Sequence, residues 1–302
     1  MPIKPASIAH PYVLLIITTL AWGGNAIAGK LAVDHVSPFL LTLLRWALAC
    51  ILMLPFALPH LKRDWAVIKQ NLIFLCLLGS IGFAVFNNLM YLALTYTSAI
   101  NVAIEQASMP LVVFVLNYIL FRTNVTAFQV IGFAITLIGV ALTVTRGNLF
   151  ALGNQPLNFG DLLMVGAIMV YGIYTVFLRN KPQIHVLSFL MVLALAAFFA
   201  TIPFAVFEHV TDTLQWPDVQ GWGVVVYAAL FPSVVAQLFW VMGLEKIGSN
   251  RGGLFINLVP IFGALLAVII LGEAFELYHA IGLGLVLGGI ALAQRPSASR
   301  SL

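Results

Sequence analysis

Glu105 is the residue whose type and setting most demand an explanation. It lies in an apolar run from Ser98 to Phe121 that holds no other charged side chain. At membrane depth a carboxylate is costly unless it is paired, hydrated or protonated. Asn101 and Ser108 fall at i−4 and i+3, so a helix puts them on the same face. Two readings stand: a carboxyl group working in a cavity or in proton coupling, or one that only bonds a neighbouring helix. Asn25, Lys30 and Arg45 form a second group. Arg45 can pair with Glu105, bind an anionic group, or tie two helices together. Lys30 can reach an interface along its flexible stem. Asn87, Asn88, Tyr91, Tyr171, Tyr174, Gln237, Trp240 and Asn257 form a third group, again inside apolar runs. Aromatic walls with a few amides suit a flat or amphipathic organic solute, although packing and interfacial belts use the same residues.

Other chemistries find no support. The six histidines fall mainly at the ends of apolar runs, and the two cysteines, Cys50 and Cys76, lie inside them. Neither set has metal-ligand spacing, and the cysteines read as small core residues. No nucleophile–base pair can be argued, so no catalytic residue, metal or cofactor is expected. Gly24 to Lys30 reads G-x-x-x-x-G-K, but residue 31 is Leu where a phosphate-binding loop needs Ser or Thr, and no strand precedes it.

These residues need a scaffold, and composition names it. Of 302 residues, 62% are apolar and 8% are charged, against about 25% charged in a soluble domain. The chain is an all-α integral membrane protein. No basic cluster is long enough for nucleic acid. A span needs about 20 mostly apolar residues. Ten such runs occur, at 11–32, 38–58, 71–94, 98–121, 126–145, 161–180, 185–207, 221–243, 248–271 and 276–294. The first run, with Lys4 before it and Ala26-Ile27-Ala28 near its end, also has signal-peptide features. The residues beyond Ala28 do not begin a soluble domain.

Residues 91–142 align without a gap on 241–292, at an offset of 150. Pro110 meets Pro260, Gly132 meets Gly282 and Gly139 meets Gly289. Five spans per half is odd, so the second half enters the membrane upside down. The expected domains are therefore two inverted five-helix repeats, 11–145 and 161–294. With the N-terminus inside, cytoplasmic segments hold eleven of the 14 Lys and Arg, Lys4, Arg251, Arg295 and Arg300 among them, and outer loops hold only Arg146. Both termini are expected in the cytoplasm. Gly284 and Gly288 form G-x-x-x-G, and Gly132 and Gly139 recur seven apart, spacings that let helices approach closely. Pro110, Pro260, Gly172 and Pro232 are candidate bending or gating points.

Several segments together resemble the drug/metabolite transporter superfamily, in particular its EamA-type ten-helix members. Trp22-Gly23-Gly24-Asn25 leading to Lys30 is similar to the family's opening segment. Ser37-Pro38-Phe39 followed by Arg45 resembles its second span, and Gly272-Glu273 resembles the G-E after its ninth. The chain departs from the pattern at Phe121-Arg122, where many members have G-E, and the seventh run has no counterpart of Arg45. The resemblance implies a secondary transporter working by alternating access, most like exporters of amino acids, aromatic ones included. The candidate substrate contacts are Glu105, Asn101, Arg45, Asn25, Asn88, Tyr91, Tyr174, Gln237, Trp240 and Asn257. The expected partners are a small-molecule substrate and the lipid bilayer of the cell (inner) membrane; a homodimer is left open. The alternatives are a drug or other metabolite carrier of the same fold, a channel, or an intramembrane enzyme.

The Lys/Arg asymmetry makes a prediction about topology. Cysteines placed at residues 2 and 300 are expected to be protected from an impermeant thiol reagent in intact cells, and one at residue 154 to be labelled. The opposite pattern would overturn the orientation.

Overall fold

The computed structural model describes residues 10–122, 126–149, 158–248 and 252–294, and all regular structure among them is helical. Positions 2, 4, 154, 251, 295 and 300, which bear on the topology, lie outside these residues. Ten helical spans succeed one another: α1 Pro11–Leu31, α2 Pro38–Gln70, α3 Leu72–Leu94, α4 Ala99–Phe121, α5 Ala127–Val144, α6 Phe159–Asn180, α7 Val186–Val210, α8 Val219–Ile247, α9 Gly253–Leu271 and α10 Leu277–Ala293. Nine are long and apolar enough to cross a membrane, and α10 has 17 residues. The protein is a multi-span membrane protein, as the composition requires.

One boundary differs from the sequence reading. The second apolar run ends at 58, before Lys62, Arg63 and Lys69. Instead α2 stays helical through Pro55 and Pro59 to Gln70. Hydropathy falls where Lys62, Arg63 and Lys69 begin, but nothing there ends the helix. Asp64 and Ile68 stay buried against the rest of the bundle, so packing continues past the apolar stretch.

The packing pairs fall into a pattern. Helix α1 packs on α8 and α9; five positions on, α6 packs on α3 and α4. The pairs α2 with α7, α4 with α9 and α5 with α10 map onto themselves under the same exchange. Local irregularities obey it too. A π-helical segment interrupts α3 at Ser80–Val85, and another interrupts α8 at Phe231–Val235. Helix α4 breaks between Gln106 and Met109, just before Pro110. Helix α9 begins as a 3-10 segment, Gly253–Asn257, and becomes α-helical just before Pro260. A proline has no N–H to give the carbonyl four residues back, so Gln106 and Ile256 each lose that helical partner. Interrupted helices at matched positions of two halves are how carriers build a midplane site.

Helices α5 and α10 pack closely, and glycines make the contact. A Cβ at Gly132 would run into the backbone of Gly289, and one at Gly139 into the carbonyl oxygen of Gly282, 2.8 Å away. Thr136 and Thr143 sit in the same seam, with hydroxyls donating to Gly132 O at 2.9 Å and Gly139 O at 3.0 Å. The G-x-x-x-G pair Gly284 and Gly288 is not in this seam. Nothing lies within 4 Å of a Cβ at either position, because they sit on a face of α10 turned away from α5. The packing pair on α10 is Gly282 and Gly289, seven residues apart, two turns along one face.

Gly289→Val is therefore expected to destabilise the protein by ~1–3 kcal/mol through overpacking, while Gly284→Val should leave stability unchanged. Thermal unfolding of the purified variants in detergent checks this. Equal effects at the two positions would contradict the assigned seam.

Candidate functional site

A cavity of about 390 Å³ lies between the two halves. Its walls come from α1 (Trp22, Asn25), α2 (Arg45, Trp46), α3 (Phe83, Phe86, Asn87), α4 (Gln106, Met109, Pro110), α6 (Tyr171, Thr175), α8 (Pro232, Gln237) and α9 (Asn257, Pro260). Both interrupted helices and both π-helical segments contribute. The lining continues to Gln294, just past the end of α10, so the cavity runs from the middle of the bundle toward that end.

Arg45 supplies its charge. The residue is 4% exposed, and its partners are neutral. Nε donates to Ser233 Oγ at 2.7 Å; Nη1 donates to Asn87 Oδ1 and Tyr91 Oη, both at 2.6 Å, and to Asn25 Oδ1 at 3.2 Å. Tyr91 in turn donates to Asn25 Oδ1 at 2.8 Å. The guanidinium carbon lies 5.0 Å from the centre of the Trp46 ring. No carboxylate is ion-paired with Arg45 among the described residues. Local structure makes this arrangement. The wider turn of α8 lets Ser233 bond the carbonyl of Ala228, five residues back, at 2.7 Å, while its oxygen faces Arg45. Asn87 is fixed by donating to Phe83 O at 2.6 Å, within the irregular part of α3.

The structure sorts the sequence candidates. Asn25, Arg45, Gln237 and Asn257 line the cavity, as do Pro110, Pro232 and Pro260. Tyr91 stands behind Arg45 as its partner, and the Trp240 ring lies tilted against Trp22, with centroids 5.3 Å apart. Tyr174 is buried against Phe83 and Tyr171, and Asn88 is buried with no partner for its amide among the described residues. Gly172 packs against Val112 of α4. Glu105 and Asn101 are not in the wall. Glu105 is 0% exposed and turns away, although the next residue, Gln106, lines the cavity. Its expected pairing with Arg45 does not form, because Arg45 is taken up by α1, α3 and α8. Lys30 Nζ donates to Leu94 O and Thr97 O, each at 2.9 Å, at and just past the end of α3.

The end of the bundle opposite Gln294 is tied shut. Glu208, at the end of α7, accepts from Ser37 Oγ at 2.7 Å, Phe39 N at 2.9 Å and Leu40 N at 3.0 Å, which satisfies the first turn of α2. Glu273 accepts from Ala99 N at 2.8 Å and Ile100 N at 2.9 Å, which does the same for α4. Gly272, with φ of +66°, turns the chain so that Glu273 can reach. Across the same end Asp218 pairs with His35 at 2.7 Å. The Gly221 backbone N–H, with help from His35, holds the Asp218 carboxyl below the usual carboxylate range. Negative groups at helix N-termini also meet the positive end of the helix dipole. The α2–α7 pair has a matching tie at its other end, where Asp64 accepts from His185 N and Ser188 Oγ, both at 2.8 Å.

A ten-span bundle of two exchange-related halves around a cavity that is closed at one end has the build of a membrane carrier. Residues 10–145 and 158–294 match the EamA-like transporter family, and the chain belongs to that family. It is similar to the uncharacterized transporter YetK of Bacillus subtilis (strain 168), at 28% identity over 92% of this chain and 85% of that protein. The uncharacterized transporter YyaM of the same organism is 27% identical over 93% of this chain and 92% of its own. A solved crystal structure shares the fold with a TM-score of 0.63 at 21% identity, covering 94% of this chain and 96% of the other. The protein is a transporter of the EamA-like family.

Proposed function

We propose that this transporter exports small organic metabolites, amino acids above all, across the cell (inner) membrane by alternating access between two inverted halves, with both termini in the cytoplasm. The observation that carries the reading is Arg45: a permanent cation in the cavity wall, held by neutral side chains and so available to a carboxylate. Arg forms strong charge-assisted bonds with carboxylates. Asn25, Asn87, Gln237 and Asn257 offer amides for the remaining polar groups, and Trp22, Trp46, Phe83, Phe86 and Tyr171 offer apolar walls. The volume falls within the range of small-molecule sites. The exchange pattern of helix contacts and the odd number of spans in each half support the inverted arrangement. The Lys/Arg count favours a cytoplasmic Gln294 end, so the observed state would load from inside. The closed opposite end favours a carrier over a channel. A cationic-drug carrier is less well supported, because Glu105 lies off the cavity while Arg45 lies on it.

In proteoliposomes without ATP, a panel of radiolabelled amino acids is expected to include at least one with saturable transport. Arg45→Gln is expected to weaken apparent affinity for that substrate about tenfold or more, since a bond to a charged group contributes ~1.5–3 kcal/mol. Strictly linear flux, an absolute need for ATP, or wild-type affinity in a folded Arg45→Gln protein would refute the reading.

A further inference from the structure

We propose that Glu105 on α4 and Asp161 on α6 form a proton-binding site, distinct from the substrate cavity, that couples transport to proton movement. Glu105 is fully buried, and neither carboxyl oxygen accepts a bond from any protein N–H or O–H among the described residues. Its interacting partner is the carboxyl of Asp161, itself 2% exposed, on the helix α6 that packs against this stretch of α4. Two acceptors cannot bond each other without a hydrogen, and two buried like charges repel strongly. The pair therefore holds a proton between them and titrates as a unit.

The surrounding bonds say where that proton sits. His279 Nδ1 accepts from Glu276 N at 3.0 Å, which leaves the hydrogen of a neutral ring on Nε2, 3.2 Å from Asn101 Oδ1. Asn101 Nδ2 donates to Thr97 Oγ1 at 3.3 Å, and Thr97 Oγ1 donates to Asp161 Oδ1 at 2.5 Å. Every hydrogen in the chain points toward Asp161, so Oδ1 is an acceptor and the shared proton is held between the other Asp161 oxygen and Glu105. Ser108, on the face of Glu105, spends its hydroxyl on the Glu105 backbone oxygen at 2.7 Å. The other charged or titratable groups nearby are Arg146 after α5, Glu273, Glu276 and Tyr278 around the start of α10, and Lys30 of α1. None is ion-paired with Glu105 or Asp161 among the described residues.

Proton loss has a definite direction of effect. With the proton bound, α4 and α6 stay together at the end tied by Glu208 and Glu273. Loss of the proton leaves two buried carboxylates that repel, which drives that end open to water. Low pH thus favours the state seen here, and high pH the opposite one. This inference rests on the alternating-access reading for its coupling role; the proton site itself does not.

Infrared spectra of the purified full-length protein near neutral pH, in heavy and light water, test the site first. A protonated-carboxyl C=O band is expected in the wild type and is expected to be lost in both Glu105→Gln and Asp161→Asn, with folding checked by thermal unfolding. A band that survives in both variants would overturn the site, as would one removed by sodium at constant pH. Should a variant fail to fold, Thr97→Val, which removes the donor to Asp161, is expected to shift the band, and an unmoved band would count against the pair. Coupling is tested in proteoliposomes with an internal pH dye and the radiolabelled amino-acid panel. Substrate-driven proton flux is expected to vanish in Glu105→Gln while counterflow exchange of the same substrate persists. Undiminished proton flux in that variant would overturn the coupling. If no amino acid is transported yet the band behaves as stated, the substrate reading fails and the proton site stands.

Discussion

The buried guanidinium of Arg45 is the constraint around which the centre of this transporter is arranged. A charge removed from water costs several kcal/mol unless its hydrogens are bonded, and lipid offers no acceptors. The protein meets that cost with oxygens drawn from three helices besides α2: Asn25 on α1, Asn87 and Tyr91 on α3, and Ser233 on α8. Neutral acceptors stabilise the charge without cancelling it. A carboxylate partner would have satisfied Arg45 more completely and left the cavity with no electrostatic preference. The π-helical segments of α3 and α8 belong to the same arrangement, since an inserted residue in a helix re-aims the side chains beside it, as such bulges often do at functional sites.

Around that centre the helix ends obey one chemical rule. The first N–H groups of a helix have no partner within it, and this fold assigns carboxylates from other helices to several of them. Glu208 serves α2, Glu273 serves α4 and Asp64 serves α7. Such ties bind two helices to each other and not merely one helix to itself, so they resist separation of a particular pair at a particular end. The two halves nonetheless differ. Position 272 is Gly and 273 is Glu, but the matching positions at offset 150 are Arg122 and Thr123. Arg122 keeps the left-handed turn, with φ of 54°, at a backbone cost that Gly272 avoids. The turn is retained where the carboxylate is not.

Legibility in the sequence depended on which physics acts locally. Span number and position could be read because hydropathy is a property of consecutive residues. The repeat could be read from Pro110 and Pro260, whose effect on a helix needs no knowledge of neighbours. Lateral placement could not. Arg45 and Glu105 were plausible partners as the two charges deepest in the first half, yet rotation of α4 about its axis decides the matter, and Glu105 faces α6. The same blindness favoured Gly284 and Gly288 over Gly282 and Gly289, since motif spacing does not say which face of α10 meets α5. Asp161 went unmarked because it stands at the start of an apolar run, where a carboxylate normally reaches water. Its burial comes from α4, through Thr97 and Asn101. Glu208 falls just past the seventh apolar run, which ends at 207, and is a buried cap for α2.

The asymmetry between Arg45 and the Glu105–Asp161 pair gives the transporter two separate electrostatic regions. One is a cation without an anion, in the wall of a cavity that reaches the Gln294 end. The other is a pair of acids with no ion pair to a cation among the described residues, buried beneath the opposite end. A carboxylate would stabilise the first, and a proton would stabilise the second. Because the two lie on opposite sides of the break in α4 near Pro110, with Gln106 and Met109 facing the cavity and Glu105 facing α6, a small change in that helix alters both environments together. Coupling between two sites requires an element whose two arrangements each ligand biases differently. The interrupted α4 is that element: it carries one of the acids, supplies part of the cavity wall, and has its first turn tied to Glu273.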